Sequence, residues 1–171
     1  MKNAGGLRLV EDDEIIKKNT AFYKAKYGDD IPFRYHAAIR SEEACLKATK
    51  RVLDIARKYD NRLHVFHIST LSEALLFDNQ KPVNEKRITA EACVHHLWFS
   101  DMDYDTLGAK IKWNPAIKSI ADRDGLLEAL LNNHLDIIAT DHAPHTVTEK
   151  SGIYTKALSG GPLVQHALSA I

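Results

Sequence analysis

The sequence predicts an α/β protein assembled from parallel strand–helix units. Four short apolar stretches begin near Arg62, Arg87, Ala109 and Leu135, at steps of 25, 22 and 26 residues (87 − 62, 109 − 87, 135 − 109). The gaps between them hold segments with helical patterning, and strand, helix, strand at this spacing is the signature of parallel βα units. Each of the four stretches also ends in polar residues: His67-Ile-Ser-Thr70, His95-His96, Asn114-Pro115 and Thr140-Asp141-His142.

Two helices are expected ahead of the strands. Glu11 to Tyr27 opens on Glu11, Asp12, Asp13 and Glu14 and closes on Lys24, Lys26 and Gly28. That charge order suits the helix dipole, and the glycine suits a stop. Ser41 is an N-cap candidate with Glu42 and Glu43 in the first turn, and behind it Cys45, Ala48, Val52, Ala56 and Tyr59 form an apolar stripe as far as Asp60-Asn61. The segments Ser72 to Phe77, Asp101 to Leu107 and Asp122 to Asn133 fill the gaps between strands. In the last of these, Asp122 is expected as N-cap, with Leu126, Leu127, Leu130 and Leu131 on one side. Pro144 to Gly161 reads as a loop, and Pro162 to Ile171 as the start of a further helix.

The 171 residues balance 23 basic against 23 acidic side chains, with 44% hydrophobic and 27% charged residues. Such a chain has the composition of an ordinary soluble domain and not of a disordered one. Without a basic block it lacks the electrostatic footprint of a nucleic-acid binder. The longest apolar runs fall far short of the roughly 18 residues a membrane helix needs, and Met1 to Val10 has no apolar signal core. Cys45 and Cys93 read as buried thiols of a reducing, cytoplasmic compartment.

Of nine histidines, His64, His67, His95, His96, His142 and His145 fall in three short clusters. In parallel βα folds ligands bind at the C-terminal ends of the strands, where these side chains gather. Imidazole with carboxylate and no clustered cysteine points to a hydrolytic zinc site. Regular strand alternation puts His64 and His67, three apart, on opposite faces, so His67 at the strand end is taken for the site and His64 for helix packing. One of His95 and His96 is expected to be a buried hydrogen-bonded partner. Asp141 serves equally as a cap, Asn114 as a turn former, and Glu91 in mid-strand carries no assignment. Pro144 argues against a helix carrying both His142 and His145.

With these pieces placed, the chain resembles the dihydroorotase branch of the amidohydrolase superfamily. The matching stretches are His64-Val-Phe-His67-Ile-Ser-Thr70, Thr89-Ala-Glu-Ala-Cys-Val-His-His96, Trp113-Asn-Pro115, Ile138-Ala-Thr-Asp-His-Ala-Pro-His145 and Lys156-Ala-Leu-Ser-Gly160. The resemblance implies a (β/α) barrel and the reversible cyclisation of N-carbamoyl-aspartate to dihydroorotate, a step of pyrimidine synthesis. It implies two active-site metals, usually zinc, with His67 and Asp141 as ligands and Asp141 also as the proton-transferring base. Asn114 and His145 match residues that bind the ring and its carboxylate, and Ser159 and Gly160 match loop positions whose backbone contacts the ring.

The departures carry equal weight. No His-x-His sequence occurs in the chain, so the family's first-strand metal pair and the arginine after it are missing. Leu9 stands where the family has a further ligand, and Leu158 where it commonly has proline. A closed barrel needs at least about 200 residues. The chain therefore reads as residues 1–10, an atypical or foreign start, joined to residues 11–171, the C-terminal portion of a barrel domain with about four strands. Such a piece is expected to be inactive alone, or active only with a partner chain supplying the missing strands, and to associate through open sheet edges or as a homo-oligomer. The alternatives are an allantoinase or hydantoinase of the same superfamily, and a degenerate, non-catalytic structural partner.

Overall fold

The computed structural model describes residues 11–170. Met1 to Val10, including Leu9, and Ile171 lie outside the described residues. The first helix, α1 (Asp13–Tyr27), is capped by the Asp12 side chain, which accepts from Ile15 N–H, and stops at Gly28, whose φ is 69°. A short turn, α2 (His36–Ile39), leads into α3 (Glu42–Lys58), where the Ser41 hydroxyl accepts from Ala44 N–H. Cys45, Ala48, Val52 and Ala56 of its expected stripe are buried, while Tyr59, past the helix end, is exposed.

Then come β1 (Leu63–Ile68), α4 (Leu71–Ala74), β2 (Ile88–Cys93), α5 (Val94–Trp98), α6 (Tyr104–Leu107), α7 (Ile120–Leu131) and β3 (Ile137–Ala139). The sheet order is β1-β2-β3 with both pairs parallel, Leu63 opposite Ile88 and Glu91 opposite Ile137. Val52 and Leu53 of α3, Ala74 and Phe77, and Leu126 and Ala129 of α7 pack with Val65, Ile68, Ala90 and Ala92 into the main core. Where eight strands close a barrel, the described residues supply three, a partial barrel.

The stretch from Ala109 to Pro115 is not a fourth strand. Gly108–Ile111 forms a 3₁₀ turn, and Ile111, Trp113 and Ile117 pack with Tyr104 in a second apolar cluster away from the sheet. The Lys112 ammonium turns inward to donate to the carbonyls of Tyr154 (2.8 Å) and Ala157 (2.6 Å). Alternating Lys110-Ile-Lys-Trp113 thus serves a loop anchor instead of a ladder.

Two smaller expectations also change. Ser119, not Asp122, caps α7: its hydroxyl accepts from Asp122 N–H at 3.1 Å and donates to the Asp122 carboxylate at 2.6 Å. Four leucines overrun one helical face, so Leu126 is buried while Leu127 and Leu131 are exposed. After Pro162 the described chain forms turns with one 3₁₀ segment, Ala167–Ser169.

A buried ion pair locks the lower end of the sheet. Lys86 Nζ lies 2.6 Å from Asp136 Oδ1, with side-chain exposures of 1% and 0%. The same ammonium donates to the Asn133 carbonyl, and Asp136 Oδ2 accepts from Ala90 N–H in β2.

Candidate functional site

Strand β1 ends irregularly. Its pairing with β2 shifts between Val65 and Ile68, and His67 has φ 39°. Val65 and Ile68, three apart, therefore both enter the core. His64 and His67, also three apart, both leave it, so the bulge overturns the opposite-face expectation. His64 does not pack on a helix. Its Nε2 donates to Glu91 Oε2 (2.9 Å), which in the neutral ring leaves Nδ1 to accept from the Thr89 hydroxyl (2.8 Å). The other oxygen of Glu91 accepts from His67 N–H at 3.4 Å. Glu91 thereby gains a role: it ties both histidines of β1 to β2.

Beyond β2 the chain turns directly into α5, which buries His95 and His96 completely. Burial pushes the His95 imidazole down to about 3, with His67 nearby adding to the effect, and lowers His96 well below the ordinary histidine value. Both rings are therefore neutral near pH 7. His96 Nε2 donates to the Pro115 carbonyl at 3.2 Å, the hydrogen-bonded partner the sequence led us to expect. His95 lies flat on Trp113, ring centroids 4.5 Å apart and 7° between planes. His95 Nδ1 and Nε2, His96 Nδ1 and Trp113 Nε1 are buried with no hydrogen-bond partner. Cys93 joins them, with one ligand atom from each of Cys93, His95 and His96 lying within 4.8 Å of the others. The expectation of a site without clustered cysteine is thus corrected. Both thiols are free and buried; burial pushes Cys45 up to about 12 and Cys93 higher still.

Asp141 follows β3 at φ 43°, half-buried, and its charge bears on the Cys93 thiol. His142 then pairs with Gly161 in an isolated parallel bridge. His145 donates from Nε2 to the Ser159 carbonyl at 3.0 Å, and its Nδ1 stands 3.9 Å from Glu149. Gly160, at φ 127°, donates its N–H to the Lys112 carbonyl, and a Cβ there would meet the Ala143 carbonyl oxygen at 2.7 Å. A Cβ on Gly161 would meet the Trp113 ring at 2.3 Å. These glycines let the loop lie against the segment that carries Asn114, which is itself exposed between buried Trp113 and Pro115.

Residues without an assignment in the sequence hold this arrangement. Lys150 Nζ donates to the carbonyls of Lys112 (3.1 Å) and Leu158 (3.0 Å) and lies 5.6 Å from the Trp113 ring centroid. His36 Nε2 donates to the Trp113 carbonyl (2.6 Å), and its Nδ1 accepts from the Tyr154 hydroxyl (2.8 Å). Burial lowers Lys112 and Lys150 to about 8 and His36 to about 3. A lysine beside a site asparagine gave no sequence signal that its ammonium would fold inward. A cavity of about 270 Å³ borders His95, walled by Trp98, Phe99, Leu163 and His166.

No family model matches the chain. Dihydroorotase of Geobacillus thermodenitrificans is 46% identical over 156 residues, 88% of this chain and 35% of that protein. Allantoinase of Bacillus velezensis is 35% identical over 127 residues, 73% of this chain and 28% of the relative. Among solved structures, D-hydantoinase from Bacillus sp. AR9 superposes with a TM-score of 0.80 at 26% identity, covering 93% of this chain and 35% of that one. The chain thus spans about a third or less of the length of the curated relatives it matches. By sequence and by fold, it belongs with the dihydroorotase-like amidohydrolases, as part of their barrel.

Proposed function

We propose that residues 11–171 are the C-terminal portion of a metal-dependent cyclic amide hydrolase that interconverts dihydroorotate and N-carbamoyl-aspartate in cytoplasmic pyrimidine synthesis. The observation that carries this reading is that His67, His95 and Asp141 stand at or just past the ends of three adjacent parallel strands, beside a loop anchored next to Asn114. Each buried polar atom left without a partner costs about 1–3 kcal/mol. Both nitrogens of His95 are in that state, and a metal ion would relieve the one that binds it. His67, His95 and Asp141 would hold one zinc ion, the donor chemistry of a hydrolytic site. The His-x-His pair for a second ion is absent from this sequence.

A zinc ion held there would lower the pKa of a bound water towards about 7 and would polarise the amide carbonyl. Asp141 takes the proton from the attacking water and returns it to the leaving ring nitrogen. Glu91 fixes His64 and the His67 backbone. Asn114 meets the ring from the exposed side of its turn. His145 spends one N–H on the Ser159 carbonyl, so it holds the loop that offers the backbone of Ser159 and Gly160, and it would meet the substrate carboxylate through Nδ1 only as the protonated ring. The strands that complete the barrel would pair along the open edges of β1 and β3.

The competing reading is a non-catalytic structural partner. The test is to mix this chain with the front portion of a dihydroorotase relative, isolate the complex, and assay dihydroorotate, allantoin and hydantoin with zinc. Conversion of dihydroorotate by the complex, none by the chain alone, and loss in Asp141→Asn are expected. A stable complex without turnover would establish the non-catalytic reading, and a preference for allantoin or hydantoin would overturn the substrate.

A further inference from the structure

We infer that Cys93, His95 and His96 form a binding site for a thiophilic divalent cation of the cadmium or zinc class. The proposal goes beyond the hydrolytic reading, because two of its three ligands have no part there and its test involves no substrate.

The three residues sit at the end of β2 and the start of α5, where the change from strand to helix turns neighbouring side chains towards one another. One ligand atom from each lies within 4.8 Å of the other two. Zinc–sulfur and zinc–nitrogen bonds of about 2.3 and 2.0–2.1 Å place tetrahedral ligand atoms roughly 3.5 Å apart. Small rotamer changes therefore close the set.

His96 is already arranged as a ligand. A metal-binding histidine characteristically donates its other ring N–H to a carbonyl or carboxylate, which fixes tautomer and orientation. His96 donates Nε2–H to the Pro115 carbonyl, leaving the Nδ1 lone pair buried and unpartnered. His95 is held flat by Trp113 with both nitrogens unpartnered. Thiolate with imidazole selects zinc, cadmium and copper(I) over calcium or magnesium. Coordination releases one proton, from Cys93 Sγ to solvent, and leaves a fourth position open. His95 is common to this set and to the hydrolytic one, so a thiophilic ion here withdraws an imidazole from hydrolysis.

The chain has two cysteines, so Cys45→Ser leaves Cys93 as its one thiol. Cobalt(II) titrated into the full Cys45→Ser chain is expected to raise a near-ultraviolet sulfur-to-cobalt charge-transfer band, displaced by cadmium. His96→Gln is expected to weaken cobalt binding by about tenfold or more. Cobalt bound without the band, or no cobalt bound, overturns the site. A band that survives Cys93→Ser in the wild-type background does so too. Absence of amide hydrolysis in the mixed complex, with the band intact, counts against the hydrolytic reading alone.

Discussion

His95 and Trp113 lie face to face, 4.5 Å between centroids and nearly parallel, and this stack joins the end of a β-strand to the turn that presents Asn114. Trp113 also meets Gly161, Lys150 and, through its carbonyl, His36. One aromatic residue thus connects the strand ends, the loop and the first helices. Gly161→Ala would drive a methyl into that ring and should cost about 1–3 kcal/mol. Urea unfolding measures the loss, and faster amide exchange from Ser159 to Gly161 would place it at the loop.

Glu91 bridges two histidines of β1, and outer partners of this kind typically raise metal affinity about 10–100-fold. In the Cys93→Ser background, Glu91→Gln should therefore weaken zinc binding within that range while the far-ultraviolet circular dichroism stays unchanged. Calorimetric zinc titration reads the difference. Unchanged affinity would reduce Glu91 to strand pairing.

The Lys86–Asp136 pair is almost fully buried, so removing one partner strands a charge. Lys86→Met is expected to destabilise by about 3–5 kcal/mol. The double variant Lys86→Met, Asp136→Leu should be less destabilised than the single one, because no uncompensated charge remains. Chemical denaturation of both variants decides it.

Burial lowers His36 from 6.5 to about 3. Between those values the unfolded chain binds the proton and the folded chain does not. Stability should therefore fall as pH drops from 6.5 towards 3, by up to about 1.4 kcal/mol per pH unit from this group. His36→Asn should be less stable at pH 7 and show a shallower acid slope in denaturation curves followed across that range.

Much of the architecture was legible in the sequence. The acidic start of α1, the N-cap Ser41, the parallel βα rhythm and the polar strand ends all follow from local patterning. Strand alternation failed at His64 and His67, because the register shift between Val65 and Ile68 leaves no mark in spacing. The stretch around Lys112 alternates like a strand, yet its lysine is drawn inward by carbonyls more than 40 residues later. Contacts at that separation have no local signature. The company of Cys93 with His95 and His96 depends on a strand passing into a helix within one residue, a boundary that composition does not fix.

The central claim is that the ends of β1, β2 and β3 share a hydrolytic metal. Zinc affinity of Cys93→Ser, which isolates that set from the thiolate, tests it most directly when compared with the same chain carrying His67→Ala or Asp141→Asn. The account predicts that Cys93→Ser still binds zinc and that either added substitution weakens binding by about tenfold or more. Zinc binding abolished by Cys93→Ser alone, or indifferent to both His67→Ala and Asp141→Asn, would contradict it.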